Sequence, residues 1–460
     1  MKFSSLAKTI STALVGATVG GLLVYTSLPD TSHTGSSTQI KTASEVGNIT
    51  LVKRKKPRTQ STRIKIPAAQ PIPTFVSDGI AWLVEAQHSS GGWGAGSHAN
   101  QSNLDPANVK LDPATTAFAG MALMRAGHTP TEGIYRDSIR KTTEFLVGIV
   151  EQSAVEGPRI TDITGTQPQA KLGQLVDTTM TTQFLARVVK ALPGKDPLHD
   201  RASRALDKCL TKLKSSQQQN GSWGKGGWAP VLQSSLGTSA LELAQVAGKE
   251  IDMDDLRRAR AYQKGNFDAK TGEVDASSGA GVALYSFAGA QRASAGEARA
   301  AKELVEDAKL AGKLAPTAVV NEENLRKIGV AGDKARDLAD AEAASKAQIN
   351  RLNDENLLRG FGNNGGEEFL SYLMTSESLV ITGGESWKQW NGKIIERLGK
   401  IQNPNGSWNG HHCISSPVFC TAAVIQCCTT DRDAGTLIQI AQNATKMRQA
   451  ANSQKTAGTR

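Results

Sequence analysis

The sequence predicts an all-α protein in which helical hairpins repeat along the chain. A glutamine, a glycine turn and a tryptophan recur three times, and each turn lies between an apolar helical segment and a segment that opens on small residues. Such repetition is typical of stacked units that cover each other's apolar faces. The turn residues are Gln87, Gly92 and Trp93, then Gln219, Gly221 and Trp223, and last Gln402, Gly406 and Trp408.

The segment before each turn predicts an outer helix. Before the second turn, Leu206, Leu210 and Leu213 recur at spacings of four and three, which places them on one helical face. Glycine then ends the helix because it accepts the left-handed conformation. The tryptophan that follows brings a large apolar area and one N–H donor back over the helix end.

The segment after each turn predicts an inner helix. It reads Thr-Thr-Ala at 115–117, Thr-Ser-Ala at 238–240 and Cys-Thr-Ala-Ala at 420–423. Hydroxyl side chains cap free N–H groups at a helix start, and alanine lets neighbouring helices approach closely. With three degenerate copies the chain has about six hairpins, a number that suits a closed ring.

The turns resemble the QW repeats (prenyltransferase/squalene oxidase repeats) of squalene-hopene cyclases and of protein prenyltransferase β subunits. The resemblance covers residues 75–430. It implies an (α/α)6 toroid whose inner helices line a central cavity. It implies less about function, because one fold hosts many unrelated activities.

The catalytic acid of the cyclases is the feature in which this chain departs from the family. Those enzymes carry an Asp-x-Asp-Asp-Thr-Ala box at an inner-helix start, and its central aspartic acid protonates an alkene or epoxide. The matching residues here run from Asp112 to Ala117, and Ala114 takes the central position. No side chain at that place can deliver the proton. The carboxyl and hydroxyl groups expected at the cavity mouth are Asp112, Thr116, Asp177, Glu367 and Glu368.

Two other matches to family motifs have structural explanations. The acidic run from Asp252 to Asp255 precedes an outer-type helix, where acids stabilise the helix start. Asp207 and Cys209 have the spacing of the prenyltransferase zinc ligands but precede a turn, so we expect Asp207 to face solvent and Cys209 to pack. Because the Cys-x2–4-Cys spacing of zinc sites is absent, we expect no metal and no cofactor. Cys413 lies in a turn, where a disulfide is one alternative.

The N-terminus predicts a membrane anchor. Residues 9–28 form an uncharged stretch of 20 residues, which is just long enough to span a bilayer. We expect residues 1–29 to be an uncleaved anchor and the body to be extracytoplasmic, in the periplasm or at the cell surface. The alternative is a signal sequence and secretion after its cleavage. Residues 30–73 then form a flexible basic linker.

Charge and composition divide the rest of the chain. The net charge is +10, and basic residues concentrate at 53–65 and in the C-terminal tail. Such runs are typical of solvated segments, so we expect no nucleic-acid partner. Residues 293–356 are rich in Ala, Glu, Lys, Asp and Arg and predict a charged helical insertion. It separates the first part of the toroid (74–292) from its last repeats (357–430), and residues 431–460 form a helix and tail.

These observations favour a binding module that holds an apolar, isoprenoid-like ligand or a protein partner. The alternative is a cyclase or prenyltransferase-like enzyme with altered catalytic residues, so whether the protein is an enzyme stays open. A polysaccharide-acting enzyme would need two inner carboxylates about 5–10 Å apart. An aromatic-walled pocket with a buried carboxylate would favour the enzyme. A ring whose centre is filled by side chains would favour the binding module.

Overall fold

Residues 64–224, 226–362 and 364–443 are described by a computed structural model, and their regular structure is helical apart from two isolated bridges. The predicted anchor at 1–29 and most of the predicted linker lie outside these residues. The helices are α1 (Thr74–Glu85), α2 (Pro113–Arg125), α3 (Arg136–Gln152), α4 (Gln167–Lys171), α5 (Val176–Ala191), α6 (Pro197–Ser216), α7 (Pro230–Val246), α8 (Met253–Lys264), α9 (Ala283–Leu310), α10 (Glu322–Lys327), α11 (Gly332–Arg351), α12 (Glu355–Leu358), α13 (Gly366–Thr382), α14 (Glu385–Gly399) and α15 (Pro417–Cys428). Residues 434–443 are also helical.

Six of these helices form a closed inner ring. The order of contact is α2, α5, α7, α9, α13 and α15, and α15 packs back against α2. The helices α1, α3, α6, α8, α11 and α14 alternate with them along the chain and pack on the outside of the ring. The arrangement agrees with the predicted all-α ring of helical hairpins.

The three tryptophan turns are held by the same hydrogen bonds. Each indole is buried, and its N–H donates to a carbonyl in the last turn of the preceding outer helix. Each tryptophan backbone N–H donates to a hydroxyl on the following inner helix. The indole bonds are Trp93 to Leu83 (2.8 Å), Trp223 to Leu213 (2.9 Å) and Trp408 to Leu398 (2.9 Å), and the hydroxyls belong to Thr116, Ser234 and Thr421.

The glutamine of the second turn is not the residue predicted from the sequence. Gln217 rather than Gln219 takes this position, and Gln219 is exposed. In all three copies the glutamine lies six residues before the tryptophan, and its amide donates to the carbonyl of a turn glycine. These bonds join Gln87 to Gly91 (2.9 Å), Gln217 to Gly221 (3.1 Å) and Gln402 to Gly406 (2.7 Å).

The glycine of the first turn is also displaced by one residue from its predicted place. Gly91, Gly221 and Gly406 have φ of 93°, 89° and 88°, in the region that favours glycine. The predicted Gly92 follows this position. It is required for a different reason, because a Cβ there would lie 2.8 Å from the Phe145 ring.

The predicted insertion is built partly from ring helices. The inner helix α9 runs without a break from Ala283 to Leu310, so the boundary expected at residue 293 falls inside it. The alanine-rich sequence that shifts the composition also favours helix, and it lets α11 pack closely along α9 as an outer helix. Beyond the ring, α10 and the adjoining parts of α9 and α11 share a separate small core that contains Val305, Leu325 and Leu338.

No helix among the described residues combines the length and apolarity that a membrane span requires. The predicted N-terminal anchor lies outside that part of the chain.

We expect Trp223→Phe to destabilise the protein by about 2–4 kcal/mol, because it opens a cavity and leaves the Leu213 carbonyl without its donor. Urea unfolding followed by circular dichroism measures the change. The control is Trp228→Phe at an exposed position, which should shift stability by less than about 0.5 kcal/mol. Equal effects at the two positions would contradict the role given to the turn tryptophans.

Candidate functional site

The first turns of the inner helices meet at one end of the ring, which we call the mouth. Ala114 at the start of α2 bonds Asp177 of α5, and Tyr285 at the start of α9 bonds Glu368 of α13. The last turns of the helices point to the opposite end. Asp112 is the N-cap of α2, and Thr116, Asp177, Glu367 and Glu368 lie near the starts of inner helices, so all five residues are at this end of the ring.

Asp112 and Asp177 form one buried carboxyl pair at the mouth. Asp112 caps α2 and accepts hydrogen bonds from the backbone N–H of Thr115 (2.8 Å) and of Ala95 (2.9 Å). Asp177 accepts from the backbone N–H of Ala114 at 3.0 Å. Burial and then the charge of Asp177 raise the pKa of Asp112 to about 7, and burial also raises the pKa of Asp177. Both carboxyl groups thus accept backbone N–H donors, and Asp177 also accepts from the Gln169 side-chain amide.

Thr116 has the same structural role. Its hydroxyl donates to the Trp93 carbonyl at 2.9 Å and accepts from the Trp93 backbone N–H at 2.9 Å. The side chain thus joins the first turn of α2 to the tryptophan turn and is fully buried.

Glu367 and Glu368 form a second buried pair, on the first turn of α13. Glu368 Oε1 accepts from the Tyr285 hydroxyl (2.7 Å) and from the Phe361 backbone N–H (2.9 Å). Glu367 Oε2 accepts from the Ile414 N–H at 3.2 Å. The other oxygen of each carboxyl group is buried without a hydrogen-bond partner. Burial and then the charge of Glu368 raise the pKa of Glu367 to about 8.

His412 and Cys413 complete the surroundings of this pair. His412 Nε2 lies 3.9 Å from Glu368 Oε2. Cys413 has a left-handed φ of 58°, which is rare for a residue with a side chain. Burial raises the pKa of its thiol to about 12, and all five cysteines of the chain are free. Neither Tyr285 nor His412 could be linked to Glu368 from the sequence, because the three residues lie on separate repeats.

Exposed aromatic side chains lie near the Glu367 and Glu368 pair, because Phe361 bonds Glu368 through its backbone N–H. Phe361 is 56% exposed and Trp228 is 37% exposed, and their ring centroids lie 5.3 Å apart. Phe361 also contacts the His412 ring at 5.1 Å, and Lys171 Nζ lies 4.9 Å above the Trp228 ring. We call these four residues the aromatic strip. They form an apolar surface with one cation at the edge of the mouth.

The short helix α4 bonds two inner-helix starts at the mouth. Gln167 is fully buried and its Oε1 accepts from the backbone N–H of Ser415 (2.8 Å) and of Ser416 (3.1 Å) at the start of α15. Gln169 donates to Asp177 Oδ2 at 2.6 Å. Because α4 binds both sides of the ring opening, it holds α5 and α15 together across it.

The axis of the ring is filled by side chains. Every residue of α15 from Pro417 to Cys428 is buried, as is every residue of α2 from Pro113 to Leu123. A helix that lined an open cavity would expose one face to it. Phe118 and Phe419 instead meet at the interior with ring centroids 4.8 Å apart. The central cavity that the family resemblance implied is therefore packed shut along these helices.

The opposite end of the ring is joined by buried ion pairs that the sequence analysis did not predict. Guanidinium and carboxylate groups alternate along a chain that reaches from α5 to α8. Its members, in order of contact, are Arg187, Asp433, Arg125, Glu377, Arg292, Glu242 and Arg260.

The described residues contain no group of three or more His, Cys, Asp or Glu side chains that could hold a metal ion. Asp207 and Cys209 have the spacing of the prenyltransferase zinc ligands. Cys209 is fully buried, and burial raises the pKa of its thiol to about 12. Asp207 is largely exposed and pairs with Lys249. Asp252 caps α8, as predicted for an acid at a helix start.

No protein-family model matches the sequence, and no curated protein matches it either. The type II terpene cyclase MstE from Scytonema, solved without ligand, is 13% identical with a TM-score of 0.40, and the alignment covers 79% of this chain and 98% of the cyclase. A substituted form of that cyclase in complex with its product, merosterolic acid A, is 14% identical with a TM-score of 0.31 over 79% of this chain and 97% of the cyclase. Such low TM-scores do not define a shared fold, so the ring topology rests on the helix contacts of this chain.

We expect stability to fall as the pH rises from about 5 to 9. Glu367 has a pKa of about 8 in the folded protein, above its ordinary value of 4.5, so the folded state holds a proton that the unfolded state releases. The contribution of Glu367 to the free energy of unfolding is present at low pH and is lost as the pH rises through its pKa in the folded protein. The contribution is on the order of 2–4 kcal/mol.

The test compares urea unfolding midpoints at pH 5, 7 and 9 for the unsubstituted protein and for Glu367→Gln. Because the amide is neutral, the variant should lose less stability at high pH. Glu396→Gln, at an exposed surface ion pair, is the control and should follow the unsubstituted protein. An unchanged pH dependence in Glu367→Gln would contradict the proton assigned to Glu367.

Proposed function

We propose that the protein is a terpenoid cyclase-like α/α ring that acts as a binding module and does not cyclise isoprenoids. The observation that carries this proposal is the packing of the ring axis. A cyclase must enclose its linear substrate beside a proton donor, and the buried faces of α2 and α15 leave no room for one there.

The surroundings of Ala114 support the same proposal. Ala114 occupies the place of the family's proton donor, and its side chain is fully buried. The nearby Asp177 carboxylate accepts a hydrogen bond from the Ala114 backbone and another from Gln169. A carboxyl group that is held by backbone and amide donors is a helix-start anchor and has no path to a substrate.

The partner we propose is a protein that contacts the aromatic strip at the mouth. Exposed tryptophan and phenylalanine side chains are the residue types that dominate binding energy at protein interfaces. Here Trp228 and Phe361 lie on loops held by the rigid ring, next to the positive charge of Lys171. They present an apolar surface that a partner's side chain can bury.

We also propose that residues 1–29 attach this module to a membrane with the ring outside the cytoplasm. The support is the uncharged stretch at 9–28 with lysines before it. Secretion after cleavage of that segment is the alternative.

A second candidate function is an isoprenoid-acting enzyme with altered catalytic residues. The observation that favours it is Glu367, whose pKa burial and the charge of Glu368 raise to about 8, while the exposed residue Phe361 bonds the neighbouring Glu368 through its backbone N–H. Such a carboxylic acid could act as an acid only if the mouth opened, since both side chains are fully buried. A polysaccharide-acting enzyme is less well supported, because it needs two carboxylates that the substrate can reach.

We expect no cyclic product when the purified full-length protein is incubated with linear isoprenoids such as squalene or its epoxide. Gas chromatography with mass spectrometry measures the product. A cyclic product that disappears in Glu367→Gln but persists in Glu396→Gln would overturn the proposal and establish the enzymatic alternative.

We expect a photo-crosslinking amino acid at Phe361 to capture a discrete protein in the native cells. The same group at Ile134, which is 82% exposed in the loop between α2 and α3, is the control and should capture nothing discrete. Trp228→Ala should reduce the Phe361 crosslink at least about fivefold, because it removes half of the ring pair. Equal capture from both positions would contradict a specific partner at the mouth.

A further inference from the structure

A cavity of about 280 Å³ lies at the end of the ring opposite the mouth. Its wall is apolar, with Met124 from the end of α2 and Leu243 and Val246 from the end of α7. Its polar lining comes from Arg187 and Lys190 on α5, together with Thr436 of the C-terminal helical segment. We call this cavity the rear pocket. The volume lies near the lower end of the range for small-molecule sites, roughly 300–1,000 Å³.

The two charged side chains that line the rear pocket, Arg187 and Lys190, are both cations. Arg187 is the end of the buried ion-pair chain at this place, where it pairs with Asp433. Lys190 adds a further cation at the rim, and its hydrogen-bond partner is the neutral amide of Gln439 at 3.2 Å.

The carboxylate nearest to the pocket is shared. A single oxygen of Asp433, Oδ2, accepts from Arg187 Nη2 at 2.6 Å and from Arg125 Nη2 at 3.0 Å. Burial alone would raise the pKa of Asp433, but the two guanidiniums hold it well below its usual range, so the group is ionised. One carboxylate thus serves two buried cations.

Guanidinium donors remain without acceptors at this place. Arg187 lines the pocket, and its Nε is buried with no hydrogen-bond partner. The neighbouring Arg125 side chain is 2% exposed, and its Nε and Nη1 also have none. Unpaired donors on buried charged groups are costly, and a further anionic acceptor would lower that cost.

We propose that the rear pocket binds a small anionic amphiphile. Its head group, a carboxylate or a phosphate, would bind Arg187 and Lys190, and its short apolar chain would lie along Met124, Leu243 and Val246. Arginine is well suited to such oxygen anions because its fork of donors matches their geometry. This site is separate from the aromatic strip, and neither proposal depends on the other.

The test is isothermal titration of the full-length protein in nanodiscs of neutral phosphatidylcholine, with empty nanodiscs subtracted. The probes are octanoate and octyl phosphate, with octanol lacking the charge and inorganic phosphate lacking the chain. One of the two amphiphiles, or both, should bind with one site per chain, and their relative affinities identify the preferred head group. Octanol and inorganic phosphate should bind at least about tenfold more weakly.

Variants around the pocket leave the ion-pair chain intact. Ala191→Trp fills the pocket from the end of α5 and should weaken binding more than about tenfold, with the melting temperature confirming that the variant folds. Lys190→Ala should weaken it about two- to fivefold, as for an exposed charge. The matched control, Lys195→Ala, is also exposed and should bind normally.

The proposal is overturned if neither amphiphile binds, if octanol binds as well as octanoate, or if inorganic phosphate binds as well as octyl phosphate. It is also overturned if Ala191→Trp binds normally. Phe361→Ala should retain octanoate binding, so the outcome here is distinguishable from the outcome at the mouth.

Discussion

The hydrogen bond from each turn tryptophan to the end of the outer helix determines how the hairpins close. The indole N–H of Trp93, Trp223 and Trp408 donates to a carbonyl ten residues earlier in the chain. That carbonyl lies in the last turn of a helix, where backbone acceptors lack intrahelical donors. The same residue's backbone N–H binds the next helix. One side chain therefore fixes the end of one helix against the start of the next in each of the three hairpins that carry the tryptophan, out of the six that form the ring.

The sequence predicts this constraint well because all its parts are local. The tryptophan, the glycine and the flanking apolar spacings lie within one hairpin. The wrong predictions of the glutamine position and of a domain boundary arose where the local sequence fits two assignments. Three consecutive glutamines, 217–219, precede the second turn, and only the hydrogen bond to Gly221 shows that Gln217 is the equivalent residue. The predicted start of the charged insertion at residue 293 is wrong for a similar reason. An alanine-rich sequence is compatible both with an inner helix of the ring and with an exposed helical insertion.

The ion-pair chain illustrates what a single hairpin cannot reveal. Arg125 is the only charged residue of α2, and Glu242 is the only charged residue of α7. In isolation each is a solitary charge on an apolar helix. Both lie twelve residues after the proline that begins their helix. Because the inner helices of the ring run in the same direction, residues at equivalent positions along them lie at the same end of the ring. A charged residue at the same distance from the helix start in several repeats is therefore the signal that would have predicted the ion-pair chain. Reading that signal requires knowing that the helices form a ring.

The two ends of the ring accommodate buried carboxyl groups in different ways. At the rear, guanidinium groups pair with Glu377 and hold its pKa below the ordinary value despite burial, so this carboxylate stays ionised through the neutral pH range. At the mouth, the neighbours of Glu367 and Asp112 are mostly backbone N–H groups and other carboxyl groups, and protonation removes the charge instead. A helix start tolerates this arrangement, because its free N–H groups donate to a carboxylate and also to the carbonyl oxygen of a protonated acid. The same burial that secures the ring therefore keeps these carboxyl groups away from solvent.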